Sequence, residues 1–172
     1  AQSRVLNRIQ GSDPTQIDGR LLSNGIVYIV NPAGVYFGNG ALVNVGGLYA
    51  GAGNVSNADF VNNINHFTDV SGNVVNRGTI DASLVAMIGR HVANYGSINV
   101  PNGMVTMVAG DDVLIAERDR SFAVRIKGLG TEAAGSDSES GVTNQGNINA
   151  EGGSVVWGAG DVYAMGIHNT GS

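Results

Sequence analysis

Asp111 and Asp112 follow Gly110, and Arg125 and Lys127 stand a short way downstream. Two carboxylates beside a cationic clamp are the residue types that hydrolyse a glycosidic bond, one carboxyl as acid and the other as base or nucleophile. The spacing argues against that chemistry. Only 12 residues lie between Asp112 and Arg125, and Asp111 has a counterpart in Asp161, as a turn residue would. His66, His91 and His168 are scattered without metal-ligand spacing and suit surface or corner positions. Gly110-Asp111-Asp112 with Asp119 hints at calcium, but the nonapeptide repeat of calcium-binding rolls is absent. The chain has no Cys, which excludes disulfides, thiolate metal sites and a Cys nucleophile. Gly38-Asn39-Gly40 and Gly51-Ala52-Gly53 lack the Gly-Lys-Ser/Thr that completes a phosphate loop. Asn54-Val55-Ser56 is a formal glycosylation triplet and no more. The expectation is a non-enzyme without metal or cofactor.

The elements that carry these residues read as strands. The 172 residues include 27 Gly and 19 Asn, with 42% apolar and only 13% charged residues. That composition favours many strands joined by tight turns. The net charge of −5, with a single Lys, offers no electrostatic footprint for nucleic acid. No apolar run approaches the ~18 residues of a membrane helix, so no membrane insertion is expected. Gly25 to Val30, Val35 to Phe37, Ala41 to Val45, Val105 to Val108 and Val155 to Trp157 are strand-like. Helical signals are scarce; Ser83 to Met87 is the best candidate, and it fits a strand better.

A motif then returns along the chain. Asn76-Arg77-Gly78-Thr79-Ile80, Asn94-Tyr95-Gly96-Ser97-Ile98 and Asn144-Gln145-Gly146-Asn147-Ile148 share Asn-x-Gly-x-Ile, and Asn169-Thr170-Gly171 starts it again. After two of the copies, Val105/Met107/Ala109 matches Val155/Trp157/Ala159, an alternation suited to one buried face. Steps of 18 and 25 residues suit one circuit of a solenoid rather than a sheet of hairpins. The reading is all-β: a right-handed parallel β-helix of roughly seven or eight coils at ~20–25 residues each. Ile80, Ile98 and Ile148 would stack inside, Asn76, Asn94 and Asn144 at a corner, and Gly78, Gly96 and Gly146 would lend that bend conformational freedom. Met107 and Trp157 would fill equivalent core positions. An insertion at 116–141 breaks the rhythm, with Glu117 to Lys127 as an extra hairpin and Thr131 to Gly141 as an exposed loop.

A resemblance covers most of the chain, the Asn-x-Gly-x-Ile repeats included, and is densest over residues 7 to 50. Asn7-Arg8-Ile9, Pro14 to Ile17, Gly19, Asn24-Gly25, Asn31-Pro32-Ala33-Gly34 with Phe37-Gly38, and Gly46-Gly47-Leu48 resemble, in order, the amino-terminal secretion domain of filamentous-haemagglutinin-like exoproteins. That is the two-partner secretion, or haemagglutination activity, domain family. The resemblance implies a β-helix at the start of a large secreted exoprotein, commonly an adhesin, that passes the periplasm to the cell surface. It also implies a partner, a dedicated outer-membrane β-barrel transporter, with Asn31, Pro32 and Gly34 in the secretion signal. The family usually has Asn where this chain has Ala33, and an Asn side chain can cap such a turn.

The chain is therefore expected to be one β-helix domain over 1–172, secretion-domain-like over 1–75 and built of solenoid repeats over 76–172. It would be a fragment of a longer exoprotein acting in secretion and adhesion. A second reading is a filament subunit stacking end to end on other copies through open strand edges. A third is a polysaccharide-active enzyme, since Gly110-Asp111-Asp112 and Arg125-Ile126-Lys127 resemble two short elements of polygalacturonases. The matching Asn-Thr-Asp and Gly-His-Gly elements are missing.

Overall fold

The computed structural model describes residues 3–118, 121–127, 141–160 and 167–172. The chain winds as a three-faced parallel β-helix. The first coil contributes β1 (Arg4–Arg8), β2 (Thr15–Ile17) and β3 (Arg20–Leu22). The second contributes β4 (Ile26–Val30), β5 (Val35–Phe37) and β6 (Leu42–Asn44). In the third, β7 (Gly47–Gly51) is followed by an excursion, α1 (Asn57–Val61) and β8 (Asn65–Phe67), before β9 (Val74–Asn76) and β10 (Thr79–Asp81). The fourth is β11 (Leu84–Gly89), β12 (Val92–Asn94) and β13 (Ser97–Asn99). The fifth leaves β14 (Met104–Ala109) for a hairpin of β15 (Asp112–Arg118) and β16 (Ser121–Lys127), then returns as β17 (Val142–Asn144) and β18 (Asn147–Asn149). β19 (Ser154–Ala159) and β20 (Ile167–Asn169) belong to the sixth.

Each face is a parallel ladder. The first runs β1-β4-β7-β11-β14-β19, the second β2-β5-β9-β12-β17-β20 and the third β3-β6-β10-β13-β18. The described residues make six coils, not seven or eight, because the two excursions consume chain without adding a circuit. The inserted hairpin also begins earlier than expected. β15 starts at Asp112, before residue 116, and pairs with β16 over seven register positions, Asp112↔Lys127 to Arg118↔Ser121. The predicted loop over 131–141 lies outside the described residues except Gly141, which is buried. Ser83 to Met87 is not helical, since Leu84–Gly89 is β11. A helix the sequence reading lacks is α1. Ser56 caps it: its Oγ accepts from the Asp59 N–H at 3.0 Å and donates to Asp59 Oδ2 at 2.7 Å, satisfying an otherwise orphaned backbone donor.

Inward side chains stack in rows. Ile80, Ile98 and Ile148 are in register, as are Val85 with Val105 and Met87 with Met107. Val155 and Trp157 continue those rows from β19. Met107 is fully buried, while Trp157 is half-buried against the same core. The first face is unusual in being covered on both sides. Val27, Ile29, Leu48 and Ala50 point into the solenoid, while Tyr28, Val30 and Tyr49 point out into a second core. β4 therefore reads Ile-Val-Tyr-Ile-Val without alternation, as a strand with two buried faces must. The outer cover comes from both excursions. β8 pairs antiparallel with β15, and Val55, Phe67, Val113 and Ile115 are buried over Tyr28, Val30, Ile88 and Val108.

Candidate functional site

The corner between the first and second faces is where this chain's special residues gather. Val30 ends β4 and Val35 opens β5, so Asn31-Pro32-Ala33-Gly34 makes the whole turn. The Gly34 N–H donates to the Asn31 carbonyl at 2.9 Å, closing a β-turn with Pro32 at its second position, where a fixed φ is an advantage. Asn31 is fully buried. Its Oδ1 accepts the Ala33 N–H at 3.0 Å, and its Nδ2 donates to the Asp13 carbonyl and to Thr15 Oγ1, each at 3.0 Å. One side chain thus shapes its own turn and ties it to the coil before. The capping that an Asn at position 33 could supply is supplied by Asn31.

Gly34 has φ +122°, and a Cβ there would sit 2.9 Å from the Tyr36 ring and 3.0 Å from the Asn73 carbonyl oxygen. The next coil crowds the same corner. Ser71 Oγ donates to the Pro32 carbonyl at 3.0 Å, and the Val35 N–H donates to the Asn73 carbonyl at 2.9 Å. In the third and fifth coils this corner is also the point from which the excursions leave.

The second corner holds the repeats. Asn76 Nδ2 donates to Asn94 Oδ1 at 2.9 Å, Asn94 Nδ2 to Asn144 Oδ1 at 2.8 Å and Asn144 Nδ2 to Asn169 Oδ1 at 2.8 Å. Asn76 Oδ1 also accepts the Gly78 N–H at 3.1 Å. In the second coil Phe37 stands in this column, in register with Asn76. Conformational freedom is not what the corner glycines supply: only Gly34 and Gly152 have positive φ among the described glycines. Gly78, Gly96 and Gly146 are there for close approach. A Cβ on Gly96 would lie 2.1 Å from the Gly78 carbonyl oxygen, and one on Gly146 would lie 2.2 Å from that of Gly96.

The residues considered for chemistry lie elsewhere. Asp112 Oδ1 is 3.1 Å from His66 Nε2, whose Nδ1 faces Asp59 Oδ2 at 3.8 Å. The two carboxylates flank the ring from opposite sides and join α1, β8 and β15. Asp111 is a corner residue whose carbonyl accepts the Val70 N–H at 3.0 Å. Arg125 is exposed and in register with Leu114. His91 sits at the turn before β12, its carbonyl accepting the Val74 N–H at 3.0 Å, and His168 is half-buried on β20. Asp119 and Asp161 lie outside the described residues. Among the described residues no group of three His, Cys, Asp or Glu could hold a metal ion.

A polar network that sequence reasoning missed lies under the excursions. Tyr28 and Tyr49 stack with centroids 4.4 Å apart and planes 7° from parallel. Tyr28 Oη donates to Asn65 Oδ1 at 2.8 Å, and Asn65 Nδ2 donates to Tyr49 Oη at 3.0 Å. Arg4 stacks on Phe60 at 4.7 Å and Arg8 donates to the Val55 carbonyl at 2.6 Å, so β1 clasps the first excursion. The only sequence signal was two tyrosines at matching places in adjacent strands.

The fold as a whole has a solved counterpart, and the sequence has relatives. The family described as the TPS secretion domain matches residues 1–158. The chain belongs to the two-partner secretion family, whose exoproteins are secreted across the outer membrane, and it carries that family's secretion domain. It is similar to the heme/hemopexin-binding protein of Haemophilus influenzae strain Rd, at 33% identity over 139 residues, covering 74% of this chain and 15% of that protein. Another Haemophilus influenzae heme/hemopexin-binding protein is 50% identical over 44 residues, 26% of this chain and 5% of that one. The crystal structure of the HMW1 secretion domain from Haemophilus influenzae superposes with TM-score 0.79 and 28% identity, over 98% of this chain and 44% of that one. The chain thus spans less than half of each of these relatives. Among the described residues no helix is long and apolar enough to cross a membrane.

Proposed function

We propose that this chain is the part of a large exoprotein that an outer-membrane β-barrel transporter recognises in the periplasm, and that Asn31, Pro32 and Gly34 belong to what it reads. The burial of Asn31 carries the mechanism. With its amide wholly inside and bonded to Asp13, Thr15 and Ala33, it has no surface to offer once the coil has closed. A transporter that reads Asn31 therefore reads it before the first two coils close, and the same amide then locks the corner. The rest of such an exoprotein would present an adhesive surface or, by the names of its relatives, one that binds haem or hemopexin.

The test is secretion of the chain in cells that make its cognate transporter. Asn31→Ala and Asn94→Ala both remove a buried amide from a corner, but only Asn31 lies in the proposed signal. Secretion should fall much further for Asn31→Ala than its loss of stability accounts for. Equal losses at equal stability would sink the reading.

A further inference from the structure

The hairpin of β15 and β16 is held differently from every other pair of strands. The first-, second- and third-face strands bond only to strands of their own ladders, and none bonds to β15 or β16. Among the described residues the hairpin pairs as a strand only with β8, over the three register pairs Val113↔Phe67, Leu114↔His66 and Ile115↔Asn65. Otherwise it lies on the first face by side-chain packing, with Val113, Ile115, Val124 and Ile126 in the second core. Ile126 is its anchor. A Cβ on Gly110 would fall 2.4 Å from an Ile126 methyl, and one on Gly158 would fall 3.4 Å from another.

The seat under the hairpin is imperfect. Thr106 Oγ1 is buried there with no hydrogen-bond partner among the described residues. A groove of about 470 Å³ opens along one side, between Tyr28 and Tyr49 on the floor and Leu114 and Ala116 above. On the outer surface the His66–Asp112 contact is about one-third exposed on each partner, so salt screens it.

We propose that β15 and β16 form a strap that lifts from the first face as one unit while the three ladders stay closed. Segments with few buried contacts and no ladder continuity open at lower free energy than the core they cover. Breaking three register pairs and withdrawing four apolar side chains frees the strap. Opening a coil of the solenoid instead breaks parallel pairing on both sides along all three faces. The open form bares the strap's side of the second core, Phe67 of β8 included, which is fully buried when it is closed and in register with Val113. The opening is a property of the fold and does not rest on the transporter reading.

Native-state hydrogen exchange on the whole chain tests this. Amides of β15 and β16 should exchange together, through an opening at least tenfold more populated than the one that exposes β4, β7 and β11. The chain lacks Cys, so His66→Cys with Leu114→Cys places the only two thiols at an in-register, half-buried pair. The oxidised variant should slow strap exchange to the rate of the first face, and reduction should restore it. Ile115→Ser should speed strap exchange, with β4 and β7 unchanged. Should Ile115→Ser fail to fold, the cross-linked pair still decides. Exchange of strap and ladders through one common opening, or strap exchange unaffected by the cross-link, overturns the proposal.

Discussion

Asn76 and Asn94 lie 18 residues apart in the chain, yet their side-chain amides meet at 2.9 Å inside the protein. The bond is one rung of a ladder running from Asn76 to Asn169 with every Nδ2 pointing the same way. A net hydrogen bond is worth about 0.5–1.5 kcal/mol, against roughly 1.5–3 kcal/mol for burying an Ile or Val. The apolar rows therefore hold the solenoid together, and the amide ladder sets which coil pairs with which.

Removing a central rung breaks the ladder on both sides. Asn94→Ala takes the Asn94 donor from Asn144 Oδ1 and leaves Asn76 Nδ2 only its longer 3.3 Å bond to the Gly78 carbonyl, and should cost about 1–3 kcal/mol. Urea unfolding should show a lower midpoint with an unchanged slope.

Gly96→Ala should destabilise although its φ is ordinary. The added methyl would sit 2.1 Å from the Gly78 carbonyl oxygen, forcing neighbouring coils apart at a cost of about 1–3 kcal/mol. A thermal midpoint equal to that of the unaltered chain would refute the close-approach role.

Asn31→Ala and Ala33→Asn should behave oppositely. The first removes three hydrogen bonds from a buried corner and should cost about 2–4 kcal/mol. The second adds a side chain at a half-buried position whose N–H already has its acceptor, and should stay within ~0.5 kcal/mol. A large gain from Ala33→Asn in chemical denaturation would show that Asn31 does not suffice as the cap.

Asn65→Ala should leave both tyrosine hydroxyls without this amide partner beneath the excursions. A loss of about 1–3 kcal/mol is expected, with a change in tyrosine absorbance. His66→Ala should cost less than about 1 kcal/mol, because its contacts are partly exposed. Denaturation of the two variants side by side checks the order.

The Asn-x-Gly-x-Ile copies could be read directly because a parallel solenoid puts equivalent residues in register, so period in sequence becomes contact in space. Helix α1 escaped notice because five residues give no helical period, and only its cap at Ser56 marks it. The hairpin's start at Asp112 was hidden because only Gly110 and Asp111 separate β15 from a repeat-like strand.

The sequence by itself determined the parallel β-helix, its inward rows and the family, since each follows from a local pattern repeated along the chain. Only the tertiary structure decided that two excursions some forty residues apart share one sheet over the first face. The β8–β15 pairing repeats no motif, so no period announces it, and Tyr28 and Tyr49 become a second core only once both excursions have arrived. It also decided what the corner glycines and Asn31 do, because close approach between coils and a bond to the preceding coil are distances through space.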